Sequence, residues 1–154
     1  MPTVEHRETI QRPVFDVFKL AGDFERWDSW QEGVTDVSLI AANPIRPGTS
    51  VTVRRNMMGR NVFINADVVE YDRHKRINLK GVHGIFPFTR TIEFQSQGRE
   101  TQIVDSMTVR TGFIFFWYGP ILSGALRKQM QKDWANLKQM LGSGGGQMTT
   151  PPSA

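Results

Sequence analysis

The sequence predicts an α+β domain: an antiparallel sheet of seven strands, two short helices after the first strand, and one long C-terminal helix. Three observations predict it. Apolar and polar residues alternate over Thr3 to Ile10, and again in successive runs between Val34 and Arg110, which is the period of half-buried strands. Gly59, Gly84 and Gly98 punctuate those runs where two-residue hairpin loops fit. From Gly119 the period becomes helical, with Leu122, Leu126, Met130, Leu137 and Leu141 in one stripe and Ala125 and Trp134 beside it. At 154 residues the chain is one domain, long enough for a sizeable core.

The elements follow in order. Val4, His6, Glu8 and Ile10 share one face of the first strand. Pro13 suits the first turn of a helix, where a missing N–H costs nothing, and Val14, Val17, Phe18 and Ala21 follow at helical spacing. Gly22 is a C-cap, and Asp23 can cap a second short helix, Phe24 to Trp30. Two such helices cannot cover a sheet, so they should plug one end of it.

Loops at Met58-Gly59, Asp72-Arg73, Gly84-Ile85 and Gln97-Gly98 then set the register of the meander. They place Val53 opposite Ile64, Arg55 opposite Val62, Val68 opposite Ile77, Leu79 opposite Arg90, and Ile77 opposite Ile92. The last loop places Ile92 opposite Ile103 and Arg90 opposite Asp105. In each hairpin the apolar set meets the apolar set, which a slip of one residue would destroy. Gly119-Pro120 opens the long helix, Leu141 ends it, and the Gly-, Ser-, Thr- and Pro-rich stretch from Gly142 to Ala154 is expected to be a disordered tail.

Two inward positions carry charge. Arg90 stands among Phe86, Phe88, Ile92 and Phe94, and Asp105 among Thr101, Ile103, Met107 and Val109. A buried charge is costly unless paired or used, so the pair points to a cavity with a polar anchor. The same two residues also fit a structural ion pair that satisfies itself. His6 and Glu8 belong on the strand beside Asp105, where His6 could join that cluster. His83 should sit at the cavity rim and His74 in a solvated basic turn. Arg55 shares a face with Val51 and Val53 near a hairpin tip, where a solvated end is the expected outcome.

Other classes are excluded or disfavoured. Zero cysteines remove disulfides, thiol catalysis and thiolate metal sites. Three dispersed histidines do not resemble a zinc site, and neither metal nor cofactor is expected. No phosphate-binding glycine loop, Gly-x-Ser-x-Gly elbow or HExxH motif occurs. The aromatics occupy inward positions, so nucleic acid is not an expected partner despite a net charge of +4. Basic residues near the hairpin tips (Arg54, Arg55, Arg60, Arg73, Lys75, Arg76) fit transient contact with an anionic membrane surface. The start lacks an apolar signal region and the longest apolar run, Phe113 to Tyr118, is too short to span a bilayer. The chain is read as a cytoplasmic monomer or weak dimer.

Several stretches carry a family resemblance. They are Arg12-Pro13-Val14-Phe15-Asp16-Val17-Phe18 into Asp23-Phe24-Glu25-Arg26-Trp27, then Pro47-Gly48-Thr49-Ser50-Val51. Val68-Val69-Glu70-Tyr71-Asp72 follows with Arg76-Ile77 behind it, and Trp134 to Leu141 closes the set. In this order and over residues 3–141 the chain resembles the START/Bet v 1-like (SRPBCC) superfamily, near its polyketide cyclase/dehydrase-type members. The resemblance implies a helix-grip fold, with a curved sheet wrapped around the long helix and a cavity between them. It implies a hydrophobic small-molecule ligand such as a lipid, quinone or polyketide, and Trp27 and Trp30 would border the opening.

The leading expectation is therefore a non-catalytic carrier or sensor. Its cavity would be lined by Trp30, Val53, Arg55, Ile64, Leu79, Phe88, Arg90, Ile92, Asp105, Met107, Trp117, Leu122, Leu126 and Met130. The alternative is a cyclase, aromatase or dehydratase in the same cavity. There Arg90 would polarise a carbonyl or stabilise an enolate, and Asp105 or His6 would move the proton. Phe113 to Tyr118, the most apolar segment, would enter the cavity mouth or serve a partner, with Met57 and Met58 as a flexible lip.

Overall fold

Alternation and turn chemistry carry through to one seven-stranded antiparallel sheet in the order β1-β7-β6-β5-β4-β3-β2. The computed structural model describes residues 3–57, 59–113 and 115–149. The strands are β1 (Thr3–Ile10), β2 (Val34–Ile40), β3 (Ser50–Met57), β4 (Arg60–Asp72), β5 (Arg76–His83), β6 (Phe86–Gln97) and β7 (Glu100–Val109). The helices are α1 (Val14–Ala21), α2 (Trp27–Trp30) and α3 (Gly119–Thr149), with 3₁₀ turns at Phe24–Arg26 and Phe116–Tyr118. The sheet curves around α3, which is the helix-grip arrangement.

The connection after β1 differs in detail from the sequence reading. Pro13 stands at the N-cap of α1 rather than inside its first turn. Gly22 closes α1 by donating its N–H to the Phe18 carbonyl at 2.7 Å. The second helix divides into a 3₁₀ turn and α2, and the Asp23 side chain makes no capping hydrogen bond.

Two hairpins have the expected register and two do not. Val53 faces Ile64 and Arg55 faces Val62, while Leu79 faces Arg90 and Ile77 faces Ile92. The β4–β5 turn needs three residues, Arg73, His74 and Lys75, because Asp72-Arg73 contains no glycine to supply a tight two-residue loop. His74 takes the positive φ of 66° instead. A bulge between Val68 and Glu70 absorbs the extra residue, so Val68 faces Leu79 rather than Ile77. The β6–β7 loop is Gly98-Arg99, since Gly98 provides the left-handed residue with φ of 72° at the first loop position. This moves the register by two residues: Arg90 faces Met107, and Asp105 faces Ile92. A shift of two preserves sidedness, so both charges still point inward.

Beneath the sheet, Leu122, Leu126, Met130, Trp134 and Leu137 of α3 are buried against Val4, Ile77, Leu79, Ile92 and Ile103. The helix backbone continues past the stop expected at Gly142 to Thr149, and positions 150–154 of the expected tail lie outside the described residues. Met58 of the expected lip lies outside them too.

Gly81 marks a close approach of β5 to β4. A Cβ there would run into the Asn65 carbonyl and the Ala66 backbone, neither of which can rotate away. Gly81→Ala is expected to cost about 1–3 kcal/mol through overpacking. Urea denaturation measures it, and unchanged stability would show that the strands separate freely at this point.

Candidate functional site

The two inward charges do meet, diagonally across β6 and β7. Arg90 donates from Nε to Asp105 Oδ1 at 2.9 Å and from Nη2 to Oδ2 at 2.6 Å. Trp134 of α3 adds its indole N–H to Asp105 Oδ2 at 2.8 Å. Asp105 thus accepts three side-chain hydrogen bonds while wholly buried. Burial acts to lower the Arg90 pKa, but the charge and hydrogen bonds of Asp105 outweigh it and hold the guanidinium above its ordinary value. This pair satisfies itself.

A second buried pair was not foreseen. Arg55 is buried on β3, not solvated at a hairpin tip, because its side chain turns under the sheet towards α3. It donates from Nη2 to Asp133 Oδ2 at 2.6 Å and from Nη1 to Gln31 Oε1 at 3.2 Å. With its amide oxygen turned towards the guanidinium, Gln129 accepts from Arg55 Nε at 2.8 Å and from Nη2 at 3.2 Å. The other Asp133 oxygen accepts the Glu32 backbone N–H at 2.7 Å. The contrast with Arg90 lies in the balance. Burial pushes Arg55 below its ordinary value and Asp133 above its own, and their attraction does not restore either. One guanidinium nitrogen reaches Asp133, where Arg90 grips Asp105 with two.

Arg55 and Asp133 line a cavity between the sheet and α3, together with Arg90, His83, Gln31 and Gln129. The remaining wall is apolar: Trp27, Val51, Val53, Ile64, Ala66, Leu79, Phe88, Met107, Leu126 and Met130. About 30 Å³ is open to the centres of water-sized spheres, enough for a water or two. An open groove between α2, the start of β2 and α3 adjoins it, and the two share Gln31 and Gln129. His83 is buried, and burial with the nearby Arg55 charge lowers its pKa to about 4, so the imidazole is neutral at pH 7.

Nine of the expected lining residues therefore come together: Val53, Arg55, Ile64, Leu79, Phe88, Arg90, Met107, Leu126 and Met130. Five lie elsewhere. Asp105 is held behind Arg90, and Ile92 and Leu122 pack in the core. Trp30 lies along the outer groove against Trp134, with ring centres 4.9 Å apart. Trp117 is 59% exposed. His6 does not join Asp105, although the two face each other in register; its Nε2 lies 2.9 Å from Glu8 Oε1. Glu8 in turn accepts from Lys138 at 3.1 Å. His74 is not simply solvated, since its positive φ tucks the ring 5.3 Å from Phe18 and 5.6 Å from Phe15.

Asp133 had a legible signal. It occupies the position of the apolar stripe between Met130 and Leu137, and it is the only acidic residue from 106 to 154. A carboxylate in that stripe must be buried, and a buried carboxylate needs a cation. Gln31 and Gln129 had no comparable signal.

A model of a family described as "Polyketide cyclase / dehydrase and lipid transport" matches residues 1–142. No curated protein matches the chain. Among solved structures, a Thermus thermophilus protein is similar at TM-score 0.79 and 19% identity, covering 93% of this chain and 99% of that one. A Mycobacterium smegmatis START superfamily protein is similar at TM-score 0.78 and 13% identity, covering 92% and 97%. The Zhui aromatase/cyclase of a Streptomyces species is similar at TM-score 0.75 and 13% identity, covering 89% and 91%. At these identities the structural likeness establishes the fold.

Asp133→Ala leaves Arg55 buried without its carboxylate and is expected to cost about 3–5 kcal/mol in urea unfolding. Replacing both, Arg55→Met with Asp133→Leu, is expected to recover most of that loss; a double variant as weak as the single one would contradict the unbalanced pair. The His83 shift fixes a pH dependence. Its folded pKa of about 4 lies below the ordinary 6.5, so the unfolded chain takes up a proton that the folded chain refuses. The contribution is intact above pH 6.5 and is lost as pH falls towards 4, by on the order of 3 kcal/mol in all. Wild type should lose more stability than His83→Gln across that window, and parallel curves would contradict it.

Proposed function

Because the chain belongs to the polyketide cyclase/dehydrase and lipid transport family, we propose that it binds a hydrophobic small molecule between the sheet and α3, with the polar group on Arg55, Asp133 and His83. The observation that carries this reading is the buried Arg55–Asp133 pair, joined through one guanidinium nitrogen, in the wall of a cavity that is apolar apart from it, Arg90, His83, Gln31 and Gln129. A buried guanidinium with incomplete compensation gains from a further oxygen, so a carbonyl, carboxylate or phenolate suits it. The apolar body then lies along Leu79, Phe88, Leu126 and Met130.

Binding requires the cavity to widen, since the open volume takes water and not a ligand of ten or more heavy atoms. Met107 and Met130 are the adaptable side chains in its wall. Gln31 and Gln129, common to the cavity and the adjoining groove, form the doorway.

A catalytic reading is favoured by one observation, the neutral His83 beside Arg55. A neutral imidazole can take a proton from the carbon next to a ketone while a guanidinium holds the enolate oxygen. The enzyme would then be a cyclase or dehydratase of a polyketide-like substrate, with His83 moving the proton in place of His6 or Asp105 and Arg55 holding the oxygen in place of Arg90.

Native mass spectrometry of the protein from its own host tests the binding reading. A co-purifying apolar molecule with an oxygen function is expected, retained at least about tenfold less by Arg55→Met. Empty protein that fatty acids, quinones and aromatic polyketides all fail to stabilise would overturn it. Turnover of a linear polyketide abolished by His83→Gln would decide for the enzyme.

A further inference from the structure

One end of the sheet, where β3 meets β4, β5 meets β6 and β7 leads into α3, carries a continuous exposed apolar surface. Phe113 is 90% exposed, and Ile85, Phe116, Trp117 and Ile121 are each more than half exposed. They are not scattered. Phe113 stacks on Phe116 with ring centres 6.1 Å apart, Phe115 packs on Phe86 at 5.5 Å, and Trp117 meets Tyr118 at 5.7 Å. Ile85 is the tip residue beside Phe86, and Ile121 lies in the first turn of α3. Large aromatics grouped in the open are unusual for a free surface and mark a contact.

The charges nearest the apolar tips are basic. The stretches that turn at this end, 54–64, 80–90 and 106–128, contain no Asp or Glu, and the exposed Glu5, Asp28 and Asp36 stand further out on β1, α2 and β2. Arg60 and Arg110 stand exposed at the hairpin and loop, and Arg127 and Lys128 follow about two turns along α3 from Ile121. On the α2 side, Glu32 is paired with Lys132 at 3.1 Å.

We propose that this end of the molecule docks on an anionic lipid bilayer. Phe113, Phe116, Trp117 and Ile121 enter the interfacial layer, where aromatic rings are best accommodated. Arg60, Arg110, Arg127 and Lys128 meet the lipid phosphates and carboxylates. Apolar insertion by a few side chains is marginal alone and becomes stable when a basic rim adds to it. The absence of carboxylates from these three turns keeps repulsion low where the surface first meets the lipid. The α3 residues Leu122 and Leu126 lie directly behind the inserted turn, and Leu126 lines the cavity, so docking sets the cavity's end against the acyl layer. The docking surface stands apart from the ligand site, and failure of one leaves the other intact.

Vesicle flotation with the full chain tests it, using phosphatidylcholine mixed with phosphatidylserine against phosphatidylcholine alone. Binding to the mixed vesicles is expected, weakened by salt, with Trp117 emission quenched by brominated acyl chains. Phe116→Ser with Trp117→Ser should lower partitioning at least about tenfold, and Arg110→Glu about fivefold or more. Both sets of side chains are exposed, and circular dichroism checks that the variants are folded. No flotation, or equal binding to neutral vesicles that salt does not affect, would overturn the proposal. Concentration-dependent self-association without lipid, lost in the same variants, would overturn it in favour of a second copy of the chain.

Discussion

The rest of the structure depends on a carboxylate placed where no water reaches it. Asp105 sits wholly buried in the second strand of the sheet order, and the chain must surround it with donors to leave it charged. Arg90 supplies two from the neighbouring strand and Trp134 supplies a third from α3. That last bond fixes the helix against the sheet at one height and one rotation. Trp134 also packs on Trp30, so α2 is set by the same residue. Removing Asp105 would strand a buried guanidinium, which is why such pairs specify a geometry even where they add little net stability.

The polar ties between α3 and the remainder of the chain fall at Gln129 and beyond. Arg55 and the Glu32 N–H hold Asp133, Asn136 donates to the Trp30 carbonyl at 3.2 Å, and Lys138 reaches Glu8. Arg12 donates to the Leu141 carbonyl at 2.7 Å. Before Gln129 the helix meets the sheet through Leu122 and Leu126 and through the aromatic turn that precedes it. Apolar contacts are non-directional and re-form after sliding, whereas directional hydrogen bonds and a buried ion pair do not. The helix is therefore anchored at its far half, and its first half is where a cavity with room for little more than water could open.

Much of this was legible in the sequence, and the gaps have physical causes. Alternation gave the strands their inward faces, because sidedness survives a register shift of two, as at Gly98; only past the bulge at Val69 does the parity of β4 reverse, so that Tyr71 joins Val68 on the inward side. It gave which residues face each other in two of the four hairpins and missed the other two, where the pairing depends on loop length and on which loop position glycine takes. Arg90 and Asp105 are visible in the sequence as charges among apolar neighbours that could satisfy each other, but the third donor is not, because Trp134 lies on a helix distant in sequence. Arg55 reads as a solvated end because it lies near a hairpin tip, where a long side chain can reach water while its stem packs. Its partner lies 78 residues away on the apolar stripe of α3. The exposed rings of Phe113, Phe116 and Trp117 were taken for cavity or partner residues, as an apolar run with no polar neighbours tends to be.

The proposed division of labour has Arg90–Asp105, through Trp134, holding the helix to the sheet and Arg55–Asp133 facing the ligand. Isothermal titration of the co-purified ligand into two charge-free variants tests it most directly. One carries Arg90→Met with Asp105→Leu, the other Arg55→Met with Asp133→Leu. Affinity should fall at least about tenfold in the second and stay within about twofold of wild type in the folded fraction of the first. The opposite pattern would contradict the claim and return the ligand's anchor to Arg90 and Asp105.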